Sequence, residues 1–197
     1  MAKQARGEAT VARVLDAALL CFSEAGGRAT SVQEVAERSG VSIGSLYHHF
    51  GSWDGVERAL YQRTLTALLA CVSARFLRAR TARGALRALV DAYLDWVEEN
   101  PEAARFLYRL PPARLEEGAA LDGFKGPLLA PLFERAAGFV AAGQLRRIEP
   151  QYFEIIVIGP VAELSRRWLA GSPGLELRKS RAVVAELIWA ALAPDRA

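Results

Sequence analysis

Apolar residues recur at three- and four-residue spacing along most of the chain, which is the pattern of helices that bury one face. Near the start, this spacing predicts a helix from about Thr10 to Ala25, ended by Gly26 and Gly27. A longer amphipathic helix is predicted from Ser52 onward. The remaining predicted helices cover residues 81–99, 101–110, 127 or 131 to about 143, 150–169 and about 176–192. The pattern therefore predicts an all-α protein.

Residues 30–50 carry the signals of two short helices joined by a tight turn. Ser31 and Glu34 have the spacing of a capping box, in which each side chain satisfies an amide at a helix start. Gly40 can adopt the left-handed conformation that closes the first short helix, and Ser42 can cap the second. We interpret the segment as a helix-turn-helix. By spacing alone, it fits an ordinary surface hairpin of an all-α domain equally well.

The second short helix has one face suited to packing and one suited to a partner. Leu46 and Phe50, four residues apart, are expected to point inward. The outward positions hold small residues first and longer hydrogen-bonding side chains afterwards: Ser42, Gly44, Ser45, Tyr47 and His48. A helix that enters a DNA major groove by its N-terminal end, with phosphate contacts further along, has this arrangement.

The run Ala-x-x-Ser-Gly-Val-Ser from Ala36, followed by Leu-Tyr-x-His-Phe from Leu46, resembles the DNA-binding signature of the TetR family of bacterial transcriptional regulators. The signature covers about a quarter of the chain, and the length and helical layout of the rest are also similar. The resemblance implies a sequence-specific DNA-binding regulator, most simply a repressor. Its implied DNA contacts are Thr30, Ser31, Ser42, Gly44, Ser45, Tyr47 and His48, with His49 on the DNA backbone.

Charge adds little to this interpretation, although the net charge is +3 and the pI is near 9.1. Many relatives have a lysine shortly after the signature, whereas this chain has Gly51, Ser52, Trp53 and Asp54. Up to Arg58, six basic residues (3, 6, 13, 28, 38 and 58) stand against seven acidic ones (8, 16, 24, 34, 37, 54 and 57). Placement is more favourable, because Lys3 and Arg6 are expected in a tail ahead of the first helix, where they could follow the duplex.

The predicted organisation is a helix-turn-helix domain over residues 1–51, a connecting helix over 52–80 and a helical effector-binding and dimerisation domain over 81–197. The last two helices are apolar on several sides, with Pro160 expected to kink the first of them. They could complete a monomeric core. In TetR-like proteins they pair as a four-helix bundle, so the resemblance implies a homodimer with an interface formed by Phe153, Ile156, Val157, Leu164, Val184, Leu187 and Ile188.

A regulator of this type would hold a small molecule among the helices of its second domain. Aromatic side chains are the best candidates for an apolar pocket, although core packing is the plainer explanation for each: Tyr93, Trp96, Phe106, Tyr108, Phe133, Phe139 and Tyr152. Few charges fall on the inward faces, which favours a hydrophobic or aromatic effector. The glycine-rich stretch Ala113–Gly126 is predicted to be a loop.

Other classes of function find little support in the sequence. Cys21 and Cys71 lack a C-x-x-C spacing and are expected to be small buried residues, and no metal or cofactor site is predicted. The only two histidines lie in the helix-turn-helix, and no catalytic motif is present, so an enzyme is not expected. No apolar run is long enough for a membrane span, and a cytoplasmic protein is expected. The remaining alternative is a helical interaction module that keeps a helix-turn-helix without operator-specific binding.

Overall fold

The computed structural model describes residues 2–25, 29–109 and 118–194, and the regular elements within these ranges are α-helices. In chain order they are α1 (Ala2–Glu24), α2 (Val32–Ser39), α3 (Ile43–Phe50), α4 (Trp53–Arg78), α5 (Ala82–Glu99), α6 (Pro101–Arg109), α7 (Gly118–Ala141), α8 (Pro150–Leu169) and α9 (Leu177–Leu192). The predicted all-α class is confirmed, and most predicted helices are found within a residue or two of their expected ends.

Contacts divide the chain into two compact units. The first contains residues up to Leu65 together with 102–115, and the second contains 66–101 together with 116–197. The helix α4 therefore contributes to both units, and α6 belongs with the helix-turn-helix rather than with the effector region as predicted. The reason lies in α6 itself, where Phe106 packs on Phe22 of α1 with ring centroids 5.0 Å apart, and Arg109 donates a hydrogen bond to the carbonyl of Phe22.

The core of the first unit explains how the helix-turn-helix is held. Fully buried side chains of α1, α2, α3 and α4 meet in one cluster, among them Val14, Val35, Leu46, Val56 and Leu60. Burying a side chain of this size contributes about 1.5–3 kcal/mol. The two short helices therefore depend on α1 and α4 for stability, since isolated helices of eight residues are not stable in water.

The first helix begins eight residues earlier than predicted. Because α1 starts at Ala2, Lys3 and Arg6 belong to a helix, and the predicted basic tail is wrong. Residues 2–9 lack an apolar stripe, so periodicity could not detect them. They are nevertheless rich in good helix formers such as alanine, lysine, glutamine and arginine.

The predicted loop over 113–126 is also wrong where the structure describes it, and residues 110–117 lie outside the described residues. The helix α7 begins at Gly118 and runs through Pro127 and Pro131. Each proline removes one backbone hydrogen bond, but Leu132 and Phe139 are buried further along the same helix. Packing here outweighs the weak local propensity on which the prediction rested.

In the second unit, α9 packs against both α5 and α8, and a group of ion pairs joins α4, α5 and α9. Asp95 accepts hydrogen bonds from Arg75 and Arg181, and Arg181 also contacts Glu98. Partial burial raises the pKa of Asp95, but the two guanidinium groups outweigh that effect and hold the pKa below its ordinary value. Arg75 and Arg181 are thus structural ion-pair partners.

Candidate nucleic-acid interface

The start of α2 has the predicted capping box. The amide of Glu34 donates to Oγ of Ser31 at 3.3 Å, and the amide of Ser31 donates to Oε2 of Glu34 at 2.9 Å. At the other end, Gly40 has φ 64°, and its amide donates back to carbonyls of the last turn. Local sequence signals therefore determine both ends of α2.

The second short helix is capped in the same way and divides into the two predicted faces. The amide of Ser45 donates to Oγ of Ser42 at 3.2 Å. Leu46 is fully buried and Phe50 is half-buried against the core. On the other face, Tyr47 keeps 41% of its surface exposed. Ser42, Gly44, His48 and His49 are exposed as well, and Ser45 is half-exposed. The structure thus presents these positions together on one side of α3.

Among the residues that the structure describes, nothing requires position 44 to be glycine. A Cβ built at Gly44 would meet no heavy atom within 4 Å, and its φ is not in the left-handed region. Glycine inside a helix costs about 0.5–1 kcal/mol relative to alanine. The missing side chain instead leaves the N-terminal half of α3 open to close approach by another molecule.

Gly55, which the sequence analysis missed, is the opposite case. A Cβ at Gly55 would lie 1.9 Å from the carbonyl oxygen of Phe50, so no larger residue fits without movement of the backbone. The turn between α3 and α4 also uses Gly51 at φ 75° and Ser52, whose Oγ accepts the amide of Gly55 at 3.0 Å. This close packing sets the angle between α3 and the start of α4. In the sequence, the only signal of this close packing was the pair Gly51 and Gly55, four residues apart.

Thr30 does not fit the predicted role. It is buried, and its hydroxyl lies 3.5 Å from the carbonyl oxygen of Cys21, to which it donates, so its side chain faces the protein and not a duplex. Ser31 is half-exposed, and its hydroxyl is engaged in the capping box. The side chain of a residue before a helix cap can point towards the protein core or towards solvent, and sequence spacing does not distinguish these two orientations.

The two histidines lie side by side at the end of α3. Their rings meet edge to face with centroids 5.5 Å apart. The ring of His49 also lies beside α1, because a Cβ on Gly7 would be 3.8 Å from its Cε1 atom. His48 therefore belongs fully to the exposed face, whereas His49 lies at the junction of α3 with the first helix.

Two basic groups of the first unit are paired with carboxylates of α1. The guanidinium of Arg38, at the end of α2, makes two hydrogen bonds to the carboxylate of Glu24 on α1, at 2.7 and 2.6 Å. These hydrogen bonds lower the pKa of Glu24. Arg63 is paired in the same unit with Asp16 at 2.7 Å. The helix α3 itself carries no lysine or arginine, and its exposed positions hold serine, glycine, tyrosine and histidine, so this face is polar without being strongly positive.

The aromatic residues predicted for an effector pocket do not form one group. Tyr93 and Trp96 are buried core residues of α5. Phe133 is half-buried against Phe153, with ring centroids 6.0 Å apart, and Tyr152 is 51% exposed. Phe106 and Tyr108 lie in α6 and belong to the first unit, while Phe139 is buried edge to face with Phe76.

The residues predicted for a dimer interface likewise have different surroundings. Val157, Leu164 and Ile188 are buried within the chain itself, so they are core residues. Phe153, Ile156 and Val184 are half-buried. Leu187 is 63% exposed, and two residues that the prediction missed are similar: Ile155 at 66% and Val183 at 60%. The spacing of Val183 and Leu187, four apart on α9, was the available signal.

Neither a metal site nor a membrane span is found in the parts of the chain that the structure describes. Over residues 2–25, 29–109 and 118–194, no three His, Cys, Asp or Glu side chains are grouped as metal ligands would be. Across those same residues, no helix is both long and apolar enough to cross a bilayer. Cys21 is buried and Cys71 is half-buried, and neither forms a disulfide bond within the described residues.

Two helical units, one of which contains a capped helix-turn-helix with an exposed second helix, define a two-unit helix-turn-helix protein. The model of the bacterial regulatory proteins of the tetR family matches residues 14–60. The regulator BetI of Burkholderia ambifaria is 36% identical over 96 residues, which are 48% of this chain and 50% of BetI. The activator FasR of Mycolicibacterium smegmatis is 32% identical over 96 residues, 49% of this chain and 44% of FasR. The aligned region is thus about half the length of these curated relatives.

Solved structures extend the likeness to the whole fold. A TetR family transcription regulator from Marinobacter aquaeolei superimposes with a TM-score of 0.79 at 19% identity, over 98% of this chain and 100% of that one. The regulator PfmR from Thermus thermophilus gives 0.60 at 26% identity, over 89% and 96%. Residues 14–60 thus match the tetR family of bacterial regulatory proteins, and the chain as a whole shares the fold of solved regulators of that family.

Proposed function

We propose that the protein is a sequence-specific DNA-binding transcriptional regulator that reads its operator through the exposed face of α3. One observation carries the proposal: α3 is anchored by the buried Leu46 while Gly44 leaves open space on the other face. A helix is normally presented to the major groove in this way, with its N-terminal residues closest to the base edges.

The proposed contacts follow the order of residues along α3. Ser42, Gly44 and Ser45 come closest to the bases, because small residues let the helix backbone approach. Tyr47 and His48 reach phosphate oxygens, which fix the register of the protein on the duplex. Ser31 and His49 remain proposed contacts to the DNA backbone at the two edges of this face. Thr30 is left out because it is buried.

A homodimer is proposed because the outer side of α8 and α9 is apolar and uncovered within one chain. Tyr152, Ile155, Val183 and Leu187 are all at least half exposed. Large exposed apolar patches on a protein surface usually mark an interaction site. A second copy would cover the same patch by two-fold symmetry and would give the complex two helix-turn-helix units for two half-sites, about 34 Å apart on DNA.

Repression under the control of a hydrophobic effector is the finer part of the proposal. A dimer on DNA near a promoter blocks transcription in the simplest case, and an effector held in the second unit would change its affinity for DNA. A structural neighbour, FadR of Bacillus subtilis, was solved with stearoyl-CoA, although at 16% identity the likeness extends to the fold alone. Buried aromatic residues of the second unit, Tyr93 and Trp96, are the proposed neighbours of the effector.

The alternative is an interaction module in which the helix-turn-helix has only a packing role. Such a module would gain stability from alanine at position 44 and would lose nothing, since the space there is open. The presence of glycine therefore favours a DNA partner.

Capture of genomic DNA tests the proposal and identifies the operator in the same experiment. The purified full-length protein is mixed with fragmented DNA of its source organism, and the bound fragments are sequenced. We expect a short inverted repeat to recur among them for the native chain and to be recovered in much lower yield by the Gly44→Ala variant. Fragments without a common sequence, or equal recovery by the variant, would contradict operator recognition through α3.

A further inference from the structure

Two residues that the sequence analysis assigned to other sites line a cavity inside the first unit. Thr30 was predicted to touch DNA, and Phe106 was predicted to line the effector pocket. Both instead face a space of about 160 Å³, together with Phe22, Ala29, Trp53, Glu57 and Arg109. All seven residues belong to the unit that contains the helix-turn-helix.

The walls of this cavity are mainly aromatic. Phe22 is central, with its ring centroid 6.0 Å from that of Trp53 and 5.0 Å from that of Phe106. The guanidinium of Arg109 lies over the same ring at 5.9 Å and donates to the carbonyl of Phe22 at 3.3 Å. Glu57 and the hydroxyl of Thr30 add polar groups at the edge. A flat apolar molecule with one polar substituent matches this lining.

The size of the cavity limits the ligand to one ring. An apolar cavity of about 150 Å³ in another protein accommodates benzene. From this geometry, we propose that the cavity binds a single-ring aromatic molecule that carries a hydroxyl or similar polar group. The site is separate from the effector site proposed in the second unit.

The position of the walls connects this site to DNA binding. Thr30 directly precedes the cap of α2, and Trp53 is the first residue of α4 after α3, so two wall residues bracket the helix-turn-helix. Phe106 and Arg109 of α6 form the other side. A ring inserted among them changes the support of α2 and α3, and it therefore changes operator affinity. The effect on operator affinity rests on the proposed function, whereas binding of the ligand in the cavity does not.

The binding test uses 4-fluorophenol and the free full-length protein. We expect saturable broadening of its fluorine NMR signal with half-saturation near or below about 1 mM, well within reach of a ligand of this size. Ala29→Phe, which adds a ring at a lining position, should weaken binding at least about tenfold. The matched Ala67→Phe, at an exposed position of α4 outside the lining, should not. Absence of saturation, or equal binding by Ala29→Phe, overturns the site.

A second measurement covers the case in which Ala29→Phe does not fold. Trp53 is the only tryptophan of the lining, so the ligand should change tryptophan emission in the native chain and not in Trp53→Phe. An unchanged response in Trp53→Phe places the ligand elsewhere and overturns the proposal. Operator affinity is then measured with and without 4-fluorophenol. A change in operator affinity of at least about threefold supports coupling between ligand binding and DNA binding. Unchanged operator affinity when the cavity is saturated with ligand contradicts this coupling but not the binding site.

Discussion

The exposed face of α3 and the exposed face of α8 and α9 are both left uncovered by the fold, yet they differ in chemistry. On α3 the uncovered residues are small or polar, and a side chain added at Gly44 would touch nothing within the chain. On α8 and α9 they are Ile155, Val183 and Leu187, each at least 60% exposed. The first face suits a hydrated, charged partner such as DNA, and the second suits a surface like itself.

Because their chemistry differs, the two faces contribute binding free energy in different ways. Burial of the apolar face is worth about 25 cal/mol for each Å² of apolar surface and depends little on salt. Contacts of the polar face with phosphates release counterions and weaken steeply as salt rises. A rise in salt concentration should therefore weaken binding of DNA steeply and change the association of two copies little.

The largest effect is expected from a charge in the apolar face. Leu187→Glu should weaken self-association by about 100-fold or more, because an unpaired carboxylate in an apolar contact is costly to bury. Sedimentation velocity over a range of protein concentrations measures it. The matched Leu77→Glu, on α4 at a position with 39% exposure, should leave the assembly unchanged. Equal assembly of both variants would remove α9 from the interface.

The next largest effect is expected on the polar face. Tyr47→Ala should lower operator affinity by about 10- to 100-fold, as removal of one or two good contacts does. Self-association and thermal stability should change little, since Tyr47 is 41% exposed. Leu77→Ala, at a position of α4 with 39% exposure, is the control and should leave operator affinity unchanged. Loss of stability in Tyr47→Ala would show that its side chain supports the fold.

Two glycines distinguish what the fold needs from what a partner needs. Gly44→Ala should raise the free energy of unfolding by about 0.5–1 kcal/mol and lower operator affinity by about tenfold. Gly55→Ala should instead lower the free energy of unfolding by about 1–3 kcal/mol, because its Cβ would overlap the carbonyl of Phe50. Chemical denaturation and DNA titration measure the two quantities. Full operator affinity in Gly44→Ala would mean that nothing approaches α3 closely there.

The ion pairs of the second unit predict an effect on stability alone. Asp95→Asn should cost about 1–2 kcal/mol at neutral pH, since two guanidinium groups lose a charged acceptor. The folded pKa of Asp95 lies below its ordinary value, so the stabilisation is present above about pH 4 and is lost as pH falls through the folded pKa. Thermal denaturation of both proteins between neutral and acidic pH should show the difference shrinking only at the acidic end. A constant difference would contradict a charge effect.

The smallest effect is expected beside the polar face, where Asp54 occupies the first turn of α4. Asp54→Asn should raise affinity for any duplex by about two- to fivefold, because one negative charge near the phosphates is removed. Operator and scrambled DNA should gain equally, which separates a general charge effect from base recognition. The helix itself loses up to about 1 kcal/mol of favourable dipole interaction. Unchanged affinity for both duplexes would place the start of α4 away from the DNA.

Local signals predicted the first face well because its structure is locally determined. Caps at Ser31 and Ser42, the left-handed Gly40 and the buried Leu46 are all decided within a few residues. The basic tail was wrong for a related reason: good helix formers without an apolar stripe leave no periodic signal, so the start of α1 was missed.

The second face and the pockets could not be predicted to the same degree, because contacts distant in sequence decide them. Val157 and Ile188 are as apolar as Ile155 and Leu187, yet the first pair is buried by α5 and its neighbours and the second is not. In the same way, Phe106 packs on Phe22, 84 positions earlier in the chain. Composition and residue spacing do not indicate which distant residues pack together.

Recognition of an operator through α3 is tested by fluorescence anisotropy on an operator duplex and on a scrambled duplex, at about 50 and 200 mM salt. The DNA upstream of the coding region of this protein is the first duplex to try. We expect the native chain to bind the operator at least about 1,000-fold more tightly than the scrambled duplex, as specific binding proteins do, and Gly44→Ala, which blocks close approach to the bases, to lower that ratio by about tenfold. Each genomic sequence captured by the protein is then tested in turn as the operator duplex. Equal affinity for the operator and scrambled duplexes at both salt concentrations, for every such sequence, would contradict recognition by α3.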